Sequence, residues 1–189
     1  MENNHSLTVY FGEDYANLYT IGYVSSDIFQ LLIFCELLQK GDKETVRKLY
    51  SRDSYRPYGF NRYNRVFKDN IKISKISDVK KGSVELIIAE ATLAAAIIIP
   101  IVVVFLQNFM NQRNQRLTFN VNPNDIRLHN LINLYELGHF GNGREGLNEF
   151  FRELVRNGYN VQALGQDVYT IEYIANLYAR RIARTLRMN

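Results

Sequence analysis

Apolar and polar positions along the 189-residue chain fall into short alternating stretches, amphipathic stretches and one long uninterrupted apolar run. Near the start, Leu7, Val9 and Phe11 alternate with polar residues, and Tyr19, Ile21 and Tyr23 repeat the alternation after a polar "GEDYAN". Period-2 alternation broken by a turn-like stretch predicts a β-hairpin. Ser25 or Ser26 is then placed to cap a helix over "DIFQLLIFCELLQK", apolar almost all round and therefore buried, which Gly41 ends. A short helix follows over 42–50, then a loop carrying Pro57 and Gly59, then an alternating strand over 70–77.

Residues 87–110, "IIAEATLAAAIIIPIVVVFLQNFM", dominate the pattern. Ser83 is the expected N-cap of a long apolar helix across them, with Glu85 and Glu90 in its first turns. A second reading stays open at Pro100, because proline disfavours a helical residue before it and "IVVVF" is β-branched. In that reading a helix ends near Ile98, and residues 101–106 form a strand pairing with 116–121. Further on, "RLTFNVN" predicts a short strand. Asn122 and Pro123 open a helix that Gly138 closes. Leu147, Phe150, Phe151, Leu154 and Val155 stripe the next helix, and Val168, Ile171, Ala175, Tyr178, Ile182 and Leu186 the last.

Mixed strands and helices without regular βαβ alternation predict an α+β fold. It comprises an N-terminal β-hairpin and buried helix, a central long apolar helix, and a C-terminal helical half with a short strand. The expected division is an N-terminal half over 1–82, the apolar helix over 83–112 and a mainly helical half over 113–189.

From Ala91 to Gln112, 22 residues pass without a charge, enough for a helix to cross a bilayer. Ten strongly apolar side chains there favour insertion by about 3 to 6 kcal/mol. Pro100 and the polar ends oppose this, and both flanks are basic, so no orientation emerges. The competing reading places the segment in the core or at a subunit interface, with Ile97, Ile98, Ile101, Val102 and Phe105 as the apolar contact residues. The first 30 residues lack the basic start, apolar stretch and cleavage site of a secretory signal. The lone Cys35 excludes an internal disulfide framework. A cytoplasmic protein is expected, with a membrane-associated one as the alternative.

Charge changes the picture in one region. The formal net charge is +4, yet residues 47–68 alone carry seven cations against Asp53, a net +6. Among them Arg52, Arg56, Arg62 and Arg65 interleave with Tyr55, Tyr58 and Tyr63. Guanidinium groups pair phosphate oxygens and aromatic faces accept unpaired bases, so this composition suits nucleic acid as well as an anionic membrane surface or a solvated face. A second basic patch, Arg180, Arg181, Arg184 and Arg187, ends the last helix; Arg180, Arg181 and Arg184 join the candidate partner- or anion-binding residues, although cations there also complement the helix dipole.

Reactive chemistry is sparse. "GNGREG" follows a predicted helix instead of the strand a dinucleotide fingerprint needs, and reads as an interhelical turn. Asp125 and His129 have the spacing of two metal ligands and His139 lies ten residues further on, but a site of these three would need a fourth group and no HExxH pattern is present, so the pair reads as a surface interaction. Cys35 lies in an apolar helix, where burial leaves a thiol protonated, and Glu36 beside it has no carboxylate partner. No catalytic residue, metal or cofactor is expected. The expectation is a non-enzymatic interaction protein whose partner is a second copy, another protein or a membrane, met through the central apolar segment. The alternative is a nucleic-acid binder using 47–68.

Overall fold

The computed structural model describes residues 5–12, 15–50, 84–110, 117–123, 125–165 and 167–187. The fold is mostly helical with a small antiparallel sheet. The described order is β1 (His5–Phe11), α1 (Leu18–Gln39), α2 (Lys43–Tyr50), β2 (Val84–Ala91), α3 (Leu93–Phe109), β3 (Leu117–Asn122), α4 (Ile126–Glu136), α5 (Gly143–Arg156), α6 (Gln162–Gly165) and α7 (Val168–Arg187).

The sheet runs β2-β1-β3, with β1 antiparallel to both neighbours. Tyr10 lies opposite Glu85 on one side and Thr118 on the other. The side chains of Leu7, Val9 and Phe11 are buried, while Ser6, Thr8 and Tyr10 face the more open side. One sheet face therefore packs inward, chiefly through α3.

The expected hairpin is corrected. Tyr19, Ile21 and Tyr23 lie on α1, and β1 finds its partners far along the chain in β2 and β3. Asn17 decides the matter locally, because its Oδ1 accepts the Thr20 N–H at 2.9 Å and starts the helix two turns before Ser25. Five alternating residues did not outweigh a cap followed by a long helical pattern.

The long apolar run is also divided. Residues 84–91 form β2, and the helix begins only at Leu93, with Thr92 instead of Ser83 as its cap. The Thr92 Oγ1 accepts the Ala95 N–H at 3.2 Å, and the Gln39 Oε1, reaching from the end of α1, accepts the Ala94 N–H at 2.9 Å. Two of the orphan donors at the start of α3 are thereby satisfied. The helix continues through Pro100, so no strand forms over 101–106. Proline inside a helix costs about 3 kcal/mol and leaves the Ala96 carbonyl without a ladder donor. Ile97, Ile98, Ile99 and Ile101, each at most 1% exposed, offset this, since burying one such side chain contributes about 1.5 to 3 kcal/mol.

Helix α3 packs most heavily on α7, then on α1, and α1 also packs on α7. Of the three, α3 is the helix that packs chiefly on the sheet, against β3 and β1. The helix opened by Asn122 and Pro123 in the sequence reading starts instead at Ile126, capped by Asp125. Gly138, at φ +77°, ends its hydrogen-bonded turn as expected. The strand expected over 70–77 lies outside the described residues.

Candidate interaction surfaces

The residues singled out from sequence separate into three groups. Arg52, Tyr55, Arg56, Tyr58, Arg62, Tyr63 and Arg65 lie outside the described residues. Ile97, Ile98, Ile101 and Val102 are 0 to 2% exposed, enclosed by their own chain, and Phe105 is half-buried. As interface residues the first four are corrected: their surface is already covered by neighbouring helices and sheet. Arg180 and Arg184 are exposed, whereas Arg181 is half-buried and belongs to an internal ion pair.

That pair anchors a polar network between α1 and α7. Arg181 Nη2 lies 2.6 Å from Asp27 Oδ1, whose side chain is 3% exposed. Burial pushes the Asp27 carboxyl up to about 6, and the Arg181 charge opposes part of that rise. One turn on, the Tyr178 hydroxyl donates to Gln30 Oε1 at 2.7 Å, and the Tyr50 hydroxyl donates to the Gln30 backbone carbonyl at 2.6 Å. Asp27 and Gln30 are three apart on α1, and Tyr178 and Arg181 three apart on α7, so two helical pairs meet face to face. Its work is registration: sliding α1 along α7 would strand a buried carboxylate and a buried amide.

The opposite side of α1 is less enclosed. Leu18 is 91% exposed, Gly22 is exposed, and Ser25, Phe29, Leu32 and Glu36 are half-buried. These six positions follow steps of four and three along the 22-residue helix from its first residue to Glu36, the spacing of a helix-pairing seam. Tyr19 and Tyr23 flank it, their ring centroids 4.6 Å apart. Glu36 closes the seam in an ion pair with Lys40 at 2.9 Å. By length and composition alone, α1 is also a helix that could cross a membrane, although 56% of its most apolar stretch is buried inside the chain.

The second surface runs along α7. Tyr169, Tyr173, Asn176, Arg180, Arg184 and Arg187 form one outward line. Beside it, Arg144 from the first turn of α5 pairs with Glu172 at 2.8 Å and lies over the Tyr169 ring at 4.5 Å. A furrow of about 300 Å³ lies between them, floored by Asn176 and Leu177 and bounded by Arg180. The Arg180 guanidinium sits 5.2 Å from the Phe109 ring centroid, and Arg187 donates to the Phe109 carbonyl at the end of α3.

The remaining candidates have structural duties. Asp125 Oδ1 accepts the Arg127 N–H at 2.8 Å, and its Oδ2 accepts the Tyr159 hydroxyl at 2.6 Å. The Tyr159 bond, then the Arg127 N–H, lowers the Asp125 pKa; Tyr159 is raised to about 12, by burial first and then by that bond. His129 is exposed, and among the described residues no three His, Cys, Asp or Glu side chains converge as metal ligands. The glycine motif is a tight turn. A Cβ on Gly146 would stand 2.3 Å from the Gly141 carbonyl oxygen. Cys35 is fully buried, and burial pushes its thiol upward.

No protein-family model matches the chain, and no curated protein or solved structure matches it.

Proposed function

We propose that this chain is a non-enzymatic interaction protein of the cytoplasm that associates with a second copy of itself through the outward seam of α1. The observation carrying this reading is the line Leu18, Gly22, Ser25, Phe29 and Leu32, exposed at its first two positions and half-buried at the other three, on a helix whose other side is fixed by Asp27 and Gln30. The seam carries no charge over 18–32, so a second such seam is its natural complement: the same apolar patch on both subunits meets itself across a two-fold axis. Gly22, where an added Cβ would meet nothing within 4 Å, leaves room for close helix approach. A membrane-spanning α1 is disfavoured, since it would place Asp27 near the bilayer centre at a cost of about 2.5 to 3.5 kcal/mol and forfeit its pairing with Arg181. A buried thiol suits a reducing compartment.

Light scattering over a hundredfold concentration range tests the reading. The expected result is a mass above the 22.1 kDa of one chain that falls to one chain when Phe29→Glu and Leu32→Glu are combined. A single-chain mass for the parent protein at every concentration would refute self-association, and recovery only in detergent or with lipid vesicles would transfer the seam to a membrane.

A further inference from the structure

We infer that the outward line of α7, with Arg144 beside it, is a binding track for single-stranded nucleic acid. Its charge comes first. Arg144, Arg180, Arg184 and Arg187 face Glu172 as the lone acid of the track, and Arg144 already engages that acid. Among the described residues neither Arg180 nor Arg184 forms an ion pair, and both are exposed. A surface built this way is complementary to a chain of negative charges.

Shape and chemistry narrow the partner further. Tyr169 to Arg187 spans 19 residues of one helix, about 27 Å, which calls for an extended ligand and not a compact ion. Tyr169 is 69% exposed, and Arg144 lies over its ring. A planar base continues such a stack, and unpaired bases offer their faces where duplex bases do not. An acidic peptide would use the arginines but leave the Tyr169 ring idle. An anionic bilayer would be met by aliphatic side chains among the cations, whereas Leu177, the aliphatic side chain of the furrow, is half-buried. Asn176 adds an amide between the stacking end and the cationic end.

The track is separate from the α1 seam, so either proposal stands without the other. It shares no residue with the basic stretch over 47–68, and the substitutions in the test are confined to α7. A fluorescein-labelled oligothymidine of 20 residues is titrated with the full chain, and anisotropy is read at several salt concentrations. The expected result is binding that weakens with salt. Each phosphate contact on a single strand adds about −0.7 to the logarithmic slope, so Arg180→Gln with Arg184→Gln should reduce the slope's magnitude by about 1.4. Tyr169→Ala should weaken binding about tenfold, in line with the loss of one stacked base. Circular dichroism confirms that these surface variants fold.

Four outcomes overturn the inference: no binding at low salt; parent-like binding by the α7 variants, which places the contact elsewhere; poly-glutamate competing as well as oligothymidine; or phosphatidylserine vesicles doing so. The last two assign the track to an acidic protein or a membrane respectively.

Discussion

The two apolar helices invite comparison. Helix α3 has 17 residues, about 25 Å of length, with Ile97, Ile98, Ile99 and Ile101 almost wholly enclosed. Helix α1 has 22 residues, about 33 Å, carries Asp27 and Gln30 on its inner side and leaves a seam outside. The helix with the unbroken apolar run exposes least of it, and the more mixed helix offers the surface. Apolar density measures how much cover a segment needs; here the cover is the fold itself. On the proposed reading a docking face arises instead where polar contacts fix one side of a helix and leave the other apolar side only half-buried.

The comparison breaks most easily at α3. Ile98→Ala removes a side chain with no exposure, and the surrounding helices can collapse only partly around the gap, so a loss of about 2 to 5 kcal/mol is expected. Urea unfolding measures it. Phe29→Ala in α1, made beside it, should cost clearly less in a dilute, dissociated sample, because Phe29 keeps part of its surface in water. Equal losses would mean that α1 and α3 are covered alike.

Arg181→Met comes next. It strands the Asp27 carboxylate, and the expected cost is about 3 kcal/mol, at the low end for a broken buried pair because the Arg181 side chain is itself 32% exposed. pH supplies a second readout in the parent chain. Folding raises the Asp27 pKa from 3.8 to about 6, so the folded chain holds this proton more tightly than the unfolded one. The group therefore favours folding below about pH 4, and that contribution is withdrawn as pH climbs through 6, by about 3 kcal/mol in all. Asp27→Asn should flatten the stability profile over that window. A profile unchanged by the substitution would show that Asp27 is not the group titrating there.

How much of this was legible beforehand depends on the range of the deciding contact. The α7 stripe, the α5 stripe apart from Val155, which is exposed, the glycine stop at Gly138 and the short strand β3 follow from local spacing, and the sequence reading anticipates them. The partner of β1 does not: His5–Phe11 pairs with strands more than 70 and 100 residues away, and no local alternation reports that. The split of the apolar run at Thr92 was readable as a threonine ahead of "LAAAI", but Ser83 offered a competing cap. The α1–α7 network had a signal as well. Asp27 and Gln30 are conspicuous on an apolar helix, yet only the fold brings Tyr178, 148 residues on, to Gln30. Arg181 looked like its exposed neighbours because a run of arginines gives no indication of which one turns inward.

A smaller effect probes the hydroxyl in that network. Tyr178→Phe leaves Gln30 Oε1 without its Tyr178 donor in a buried position, so a loss of about 1 to 2 kcal/mol is expected. For a chain of this size that lowers Tm by about 2 to 8 °C. Tyr50→Phe makes the companion measurement at the Gln30 backbone carbonyl. That carbonyl already lies within α1 and can keep a helical hydrogen bond, so its loss should be the lesser of the two.

The smallest expected change in folding belongs to Leu18→Gln, and it sharpens the comparison most. Leu18 is the first residue of α1 and 91% exposed, so the stability of the single chain should move by no more than about 0.5 kcal/mol. If α1 pairs with its copy, however, folding and association are linked, and Tm rises with protein concentration in the parent chain. Removing one apolar end of the seam should weaken that rise while leaving Tm at the lowest concentration where it was. A comparable polar substitution in α3, Ile98→Asn, would do the reverse, lowering Tm equally at every concentration because its cost lies wholly inside one chain. Two unfolding series, each over a hundredfold range of concentration, therefore distinguish a helix that is merely apolar from one whose apolar side is addressed outward.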